Sequence, residues 1–181
     1  GVYEVQVRRS DDSGRRVELL HQISALYEDA GGDADSAFTT LARALAEDPT
    51  SEETKQGLDR LARATERYAD LAKVFEERAV AQLVGATEDP DATAVSDPAV
   101  AVDLFMMAAR VYENDLQAAE PAIAHYRKVL EIDPQNLAAA EALERIFRGG
   151  EQYAELSQVL QQKADILDDL RDKKAALFQA A

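Results

Sequence analysis

Arg60 and Arg63 stand three residues apart, and the same pair recurs 85 residues later as Arg145 and Arg148. On a helix, that spacing places both members of a pair on one face. Planar guanidinium groups in a repeated row would grip carboxylates of another chain, each through two parallel bonds. The competing use is internal. With 35 acidic residues around 20 lysines and arginines, the four would pair with neighbouring Asp and Glu and hold the chain together. His21 and His125 are the only histidines, and the 85-residue offset carries them onto Met106 and Thr40, so they share no repeated role. Neither shows the convergent partners that catalysis or metal binding needs. The run Glu88-Asp89-Pro90-Asp91 offers oxygen atoms to a hard cation, but lacks the alternating-Asp spacing and distal Glu of a calcium loop, and reads as solvated. No Gly-rich phosphate loop, GxSxG or HExxH occurs. Met106 and Met107 are adjacent, so on a helix they point about 100° apart and only one belongs to the core. The expectation is a chain with no catalytic residue, no metal and no cofactor.

The elements that would position these residues follow from the same offset. YRKVLEIDP (126–134) answers LARALAEDP (41–49), and the register continues through Tyr27/Tyr112, Glu28/Glu113, Ala37/Ala122, Leu58/Leu143, Glu66/Glu151, Tyr68/Tyr153, Leu71/Leu156 and Val74/Val159. A fixed offset with matched apolar, aromatic and proline positions signals a repeat architecture. Leu177-Phe178 answers Leu104-Phe105 after 73 residues, 12 fewer than 85, which is about the length of an acidic loop inserted in one copy. The underlying unit is therefore about 73 residues and four helices.

In chain order, residues 1–14 read as the tail of a preceding repeat and a turn. Val17, Leu20, Ile23, Ser24 and Tyr27 then mark one helical face. Gly31-Gly32 ends that helix and Asp33 caps the next, whose buried side is Ala37, Leu41, Ala44 and Leu45 until Asp48-Pro49 stops it. Thr50 and Glu53 read as a capping box opening a helix with Leu58, Leu61 and Ala62. A further helix carries Tyr68, Leu71, Val74 and Phe75, completing a first unit over 15–84. Residues 85–97 form the acidic loop. Asp97-Pro98 opens the second unit, 98–168, with helices near 98–114, 120–132, 136–148 and 152–167. Residues 169–181 read as the start of a third repeat, with a fresh helix from Asp172.

Paired helices of about 34 residues with small and aromatic positions and a closing Asp-Pro resemble tetratricopeptide repeats. Leu20, Ser24, Tyr27 and Phe105, Ala109, Tyr112 match the first-helix pattern. Ala37, Leu41, Ala44, Pro49 and Ala122, Tyr126, Val129, Pro134 match the second. The match is close for 17–49 and 102–134 and loose for 50–84 and 135–167. The resemblance implies an all-α, right-handed superhelical solenoid of antiparallel helix pairs, part of a longer bacterial array. It also implies a concave groove, lined by first helices, that binds extended peptides or partner helices. Arg60, Arg63, Arg145, Arg148 and Arg110, with His21, Glu28 and Met106, are the residues expected to face that groove. The Lys and Asn clamp that some relatives use for C-terminal carboxylates is missing from the matching positions.

Composition bounds the partner. A formal charge of −15 opposes contact with nucleic acid or anionic lipid, and no apolar run approaches a membrane span. The absence of cysteine excludes disulfides and thiolate metal sites, and fits either cytoplasm or periplasm. The functional expectation is a non-catalytic scaffold for a protein or peptide partner. The alternative is a structural component of a multiprotein machine that stacks on itself or a partner, with homo-oligomers forming through exposed repeat ends.

Overall fold

A computed structural model describes residues 2–84 and 97–180. The acidic loop with Glu88, Asp89, Pro90 and Asp91 lies outside the described residues. Among the described residues there is no strand, in keeping with the all-α expectation. The chain forms two compact units, one ending at Leu104 and one beginning at Phe105.

The first unit holds α1 (Val2–Arg9), α2 (Ser13–Gly31), α3 (Ala34–Glu47), α4 (Glu52–Thr65), α5 (Tyr68–Val84) and the start of α6 (Pro98–Arg110). From α1 to α5, connections of two to four residues make consecutive helices antiparallel. Their ends are locally encoded. The Asp12, Asp33 and Asp97 carboxylates accept from the first-turn amides of Arg15, Ser36 and Ala99 at 2.7, 3.0 and 3.0 Å. Gly32 closes α2 with φ of 57°, a left-handed conformation that glycine adopts without steric cost. The expected capping box is displaced by one residue. Ser51 caps α4 by accepting from Thr54 N, while the Thr50 hydroxyl turns back to Asp48 at 2.6 Å. Asp48 already holds the Pro49 turn, which leaves Ser51 as the first residue free to cap.

The core of this unit is Leu19, Leu20 and Ile23 of α2, Ala37, Phe38, Leu41, Ala44 and Leu45 of α3, Leu58, Leu61 and Ala62 of α4, and Leu71, Ala72, Phe75 and Ala79 of α5. Each large side chain buried here contributes roughly 1.5–3 kcal/mol of hydrophobic stabilisation. Tyr27 departs from the expected pattern. It is 39% exposed, because Leu19 rather than Tyr27 completes the packed face of α2.

The second unit continues α6 into a π turn over Val111–Asp115, with Leu116 N donating to Val111 O at 3.0 Å. It then holds α7 (Ala119–Ile132), α8 (Leu137–Gly149) and α9 (Tyr153–Ala180). Pro121 sits in the first turn of α7, where no intrahelical acceptor is needed. The core is Ala122, Ile123, Tyr126, Val129 and Leu130 of α7, Ala139, Ala140, Ala142, Leu143 and Phe147 of α8, and Val159 and Ile166 of α9. The expected stop near 167 and restart at Asp172 are not observed, since α9 runs unbroken to Ala180. Neither glycine nor proline occurs between Tyr153 and Ala180, and aspartates alone do not end a helix that packing has started.

The 85-residue offset extends to the backbone. Gly32 and Gln117 both have positive φ, 57° and 52°, and so do Glu66 and Glu151, 57° and 55°. Ser51 and Asn136 cap α4 and α8 in the same way.

Candidate interaction cleft

In the first unit, α2, α3 and α4 surround a cleft of about 340 Å³. It is lined by His21, Ser24, Ala25 and Glu28 from α2, Leu41 from α3, and Glu53, Gln56, Gly57 and Arg60 from α4. Successive turns of α2 deliver His21, Ala25 and Glu28 to one face, and Glu53, Gln56/Gly57 and Arg60 do the same on α4. Ser24 sits beneath them, its hydroxyl donating to Ala37 O at 3.3 Å and tying α2 to α3.

Both ends of the cleft are polar. At one end, Arg60 donates to the two oxygens of Glu28 at 2.6 and 2.9 Å. These bonds hold the Glu28 carboxyl below its ordinary range against the opposing effect of burial, and raise the Arg60 guanidinium further. At the other end, His21 Nε2 lies 2.8 Å from Thr54 Oγ1 and His21 Nδ1 lies 3.3 Å from a Glu53 oxygen. Glu53 is 85% exposed at the rim.

Gly57 and Leu41 meet at the floor. A Cβ added at Gly57 would stand 2.6 Å from Leu41 Cδ1, so the present Leu41 side-chain position relies on the absence of a side chain at 57. An isolated glycine inside a helix costs about 1 kcal/mol against alanine, a price that signals a packing or binding reason.

The second unit repeats the ion pair. Arg145 donates through Nε and Nη2 to Glu113 at 2.8–2.9 Å, with the same sequence separation as Arg60 and Glu28. The Tyr126 hydroxyl also donates to Glu113, at 2.8 Å. Burial first and this carboxylate second push the Tyr126 phenol well above its ordinary ionisation range. Arg63 and Arg148 pair one turn back on their own helices, with Asp59 at 3.1 Å and Glu144 at 2.6 Å. Arg145 and Arg148 line a second depression, about 520 Å³, with Glu141, Glu144, Gly149 and Lys163. The Lys163 ammonium reaches Glu144 at 2.9 Å and Glu141 at 3.3 Å.

The eight expected groove residues therefore divide. His21, Glu28 and Arg60 meet in one cleft. Arg145 and Arg148 meet in another. Arg63 and Arg110 are exposed. Met106 is corrected to a core residue: it is 8% exposed in a stretch where Leu104, Phe105, Ala108 and Ala109 are also buried, while Met107 lies half-exposed. All four repeated arginines carry intramolecular carboxylate partners. In the sequence, Leu41 and Glu53 read only as a packed repeat position and a capping residue; Gln56 and Gly57 carry no motif, and the isolated mid-helix glycine is the one signal that could have pointed to the cleft. Among the described residues, no group of three or more His, Asp or Glu is placed to hold a metal, and no helix is long and apolar enough to cross a membrane.

The tetratricopeptide repeat family matches residues 102–136. No relative is found among curated proteins. Among solved structures, a crystal structure of MamA is 18% identical with a TM-score of 0.53, covering 94% of this chain and 87% of that one. A second crystal structure of MamA protein is 18% identical with a TM-score of 0.52, over 86% of this chain and 75% of that one. At that identity the likeness speaks to fold alone. The family match over 102–136 identifies a tetratricopeptide repeat there, and the same left-handed residues and Arg–Glu pair recur 85 residues apart in the chain.

Proposed function

We propose that the chain is a non-catalytic scaffold that recruits a partner protein, and that the partner docks along α2 and α4 of the first unit. The observation that carries this reading is the cleft itself, a formed concavity between helices whose rim groups Glu53 and Gln56 are exposed to solvent. Arg60 and Arg145 support the scaffold in another way. They fasten α2 to α4 and the π turn to α8, so the surface is preorganised. Site-specific photo-crosslinking in native extract tests the proposal. A crosslinker at Gln56 should capture a protein partner, and one at Lys73 on α5 should not. Equal capture at both positions, or capture at Lys73 alone, contradicts it.

A second reading, a self-stacking assembly component, draws on α9. Tyr153, Leu160 and Leu167 repeat every seven residues and are 69%, 41% and 46% exposed. A heptad row of that kind suits helix-to-helix packing. Concentration-dependent sedimentation of the free protein would favour this reading, and a monomer at all concentrations would remove it.

A further inference from the structure

The internal repeat supplies a control for the cleft. Both copies have a side-chain cap at Ser51 or Asn136, the same left-handed positions and the same bidentate Arg–Glu pair. They differ in what fills the space between the helices. In the second copy Tyr126 takes the place of Leu41, is 1% exposed and donates to Glu113; Ala142 takes the place of Gly57, and Met106 that of His21. In the first copy the smaller Leu41 and Gly57 leave about 340 Å³ open. The skeleton is shared, and the cavity is a property of the first copy's own side chains.

Charge decides what the cavity accepts. Its walls carry two carboxylates, Glu28 and Glu53, and one guanidinium, Arg60. Arg60 is spent on Glu28, through both of its terminal nitrogens. Among the described residues Glu53 pairs with His21, at 3.3 Å, and projects into solvent. A carboxylate entering the cleft would meet two negative groups and a cation already engaged. A cation would lay its aliphatic stem on Ala25, Leu41 and Gly57 and bring its charge to Glu53. The net charge of −15 draws basic partners from a distance.

We propose that this cleft receives a lysine or arginine side chain from an extended segment of the partner protein. The proposal rests on the scaffold reading and reverses the sense in which the repeated arginines would have read an acidic partner. Arg60 fastens the helices and Glu53 selects the ligand.

The test is fluorescence anisotropy with three labelled peptides in one Ala/Ser host, carrying lysine, norleucine or glutamate at the same spaced positions. Three proteins are compared: the unaltered chain, Leu41→Tyr/Gly57→Ala, and Glu53→Gln. The double substitution installs the residue pair that the second copy already packs, and leaves the net charge unchanged, so it separates cleft binding from general attraction to an acidic protein. Circular dichroism and a melting curve establish that it folds, and Glu53→Gln alters only a rim residue if it does not. The lysine peptide should bind the unaltered chain about three- to fivefold tighter than the norleucine peptide, the gain expected for one solvent-exposed ion pair. Binding should fall by a similar factor in both variants. Equal binding of the lysine peptide to all three proteins, preference for the glutamate peptide, or no binding of any peptide overturns the proposal. The Gln56 crosslinking result stands apart from these outcomes. A crosslink without basic-peptide binding leaves the scaffold reading in place and removes only the basic ligand.

Discussion

Replacing Asp103 with alanine strips the Lys55 ammonium of the carboxylate it touches at 2.6 Å. The Lys55 side chain is 4% exposed, and that of its remaining partner, Glu52 at 2.8 Å, is 72% exposed. Removing one partner of a fully buried ion pair costs about 3–5 kcal/mol. Asp103 is itself 52% exposed and Glu52 stays behind. The expected loss is therefore lower, about 2 kcal/mol. For a chain of this length that corresponds to a fall of about 4–8 °C in melting temperature. The second copy indicates the remedy, because Ala140 occupies the position of Lys55 and is fully buried. Lys55→Ala in the Asp103→Ala background should recover most of the loss, leaving the double variant within about 1 kcal/mol of the unaltered chain. Burial lowers the Lys55 pKa, but the bonds from Asp103 and Glu52 outweigh it and the net shift is upward. A raised folded value means the stabilisation is complete below the ordinary lysine range and is lost as pH rises through the folded value. The gap between the unaltered chain and Asp103→Ala should thus persist at neutral pH and close only in strong alkali. Urea unfolding followed by circular dichroism measures all three proteins. An Asp103→Ala variant within about 0.5 kcal/mol of the unaltered chain, or a double variant no better than the single one, refutes the reasoning.

Other outcomes follow from the paired copies. Arg60→Ala should cost roughly 0.5–1 kcal/mol at neutral pH, since the pair is bidentate but Arg60 is 60% exposed. Glu28 has a lowered pKa, so this contribution is present above the ordinary Glu value and fades as pH falls below it, which stability curves at neutral pH and at pH ~3 would compare. Tyr126→Phe should lose about 1.5 kcal/mol, the value of one hydrogen bond to a carboxylate, measured by urea unfolding. Glu66→Gly and Glu151→Gly should each raise the melting temperature, because a non-glycine residue at φ of 57° or 55° carries about 1 kcal/mol of steric cost. Leu160→Glu should abolish any concentration-dependent association in sedimentation velocity without altering helicity, because Leu160 is 41% exposed.

The architecture was legible wherever a local device fixed it. Asp33, Asp97, Gly32 and the two Asp-Pro pairs each act within four residues, so their roles follow from the residues themselves. The Thr50 cap was misplaced by one residue because two hydroxyls compete there, and the Asp48 carboxylate decides between them. The uninterrupted α9 has no local mark in the sequence beyond the absence of glycine and proline, which prevails over its charged, turn-prone aspartates. Met106 could not be separated from Met107 by spacing alone, since adjacent positions differ only in which way the helix is turned. The cleft lay further from view. It arises from the sizes of Leu41 and Gly57 across two helices, and its meaning emerges only beside Tyr126 and Ala142. The repeated arginines were visible as a pattern, but their pairing with Glu28 and Glu113 depends on how α2 meets α4 and how the π turn meets α8.

Methyl-resolved NMR of an alanine- and leucine-labelled sample, titrated with the lysine peptide, tests the open-cleft account most directly. The account predicts shifts at Ala25 and Leu41, which line the open cleft, and none at Ala142, which fills the corresponding place in the second copy. Shifts at Ala142 matching those at Ala25, or a titration that leaves Leu41 unmoved, would contradict it.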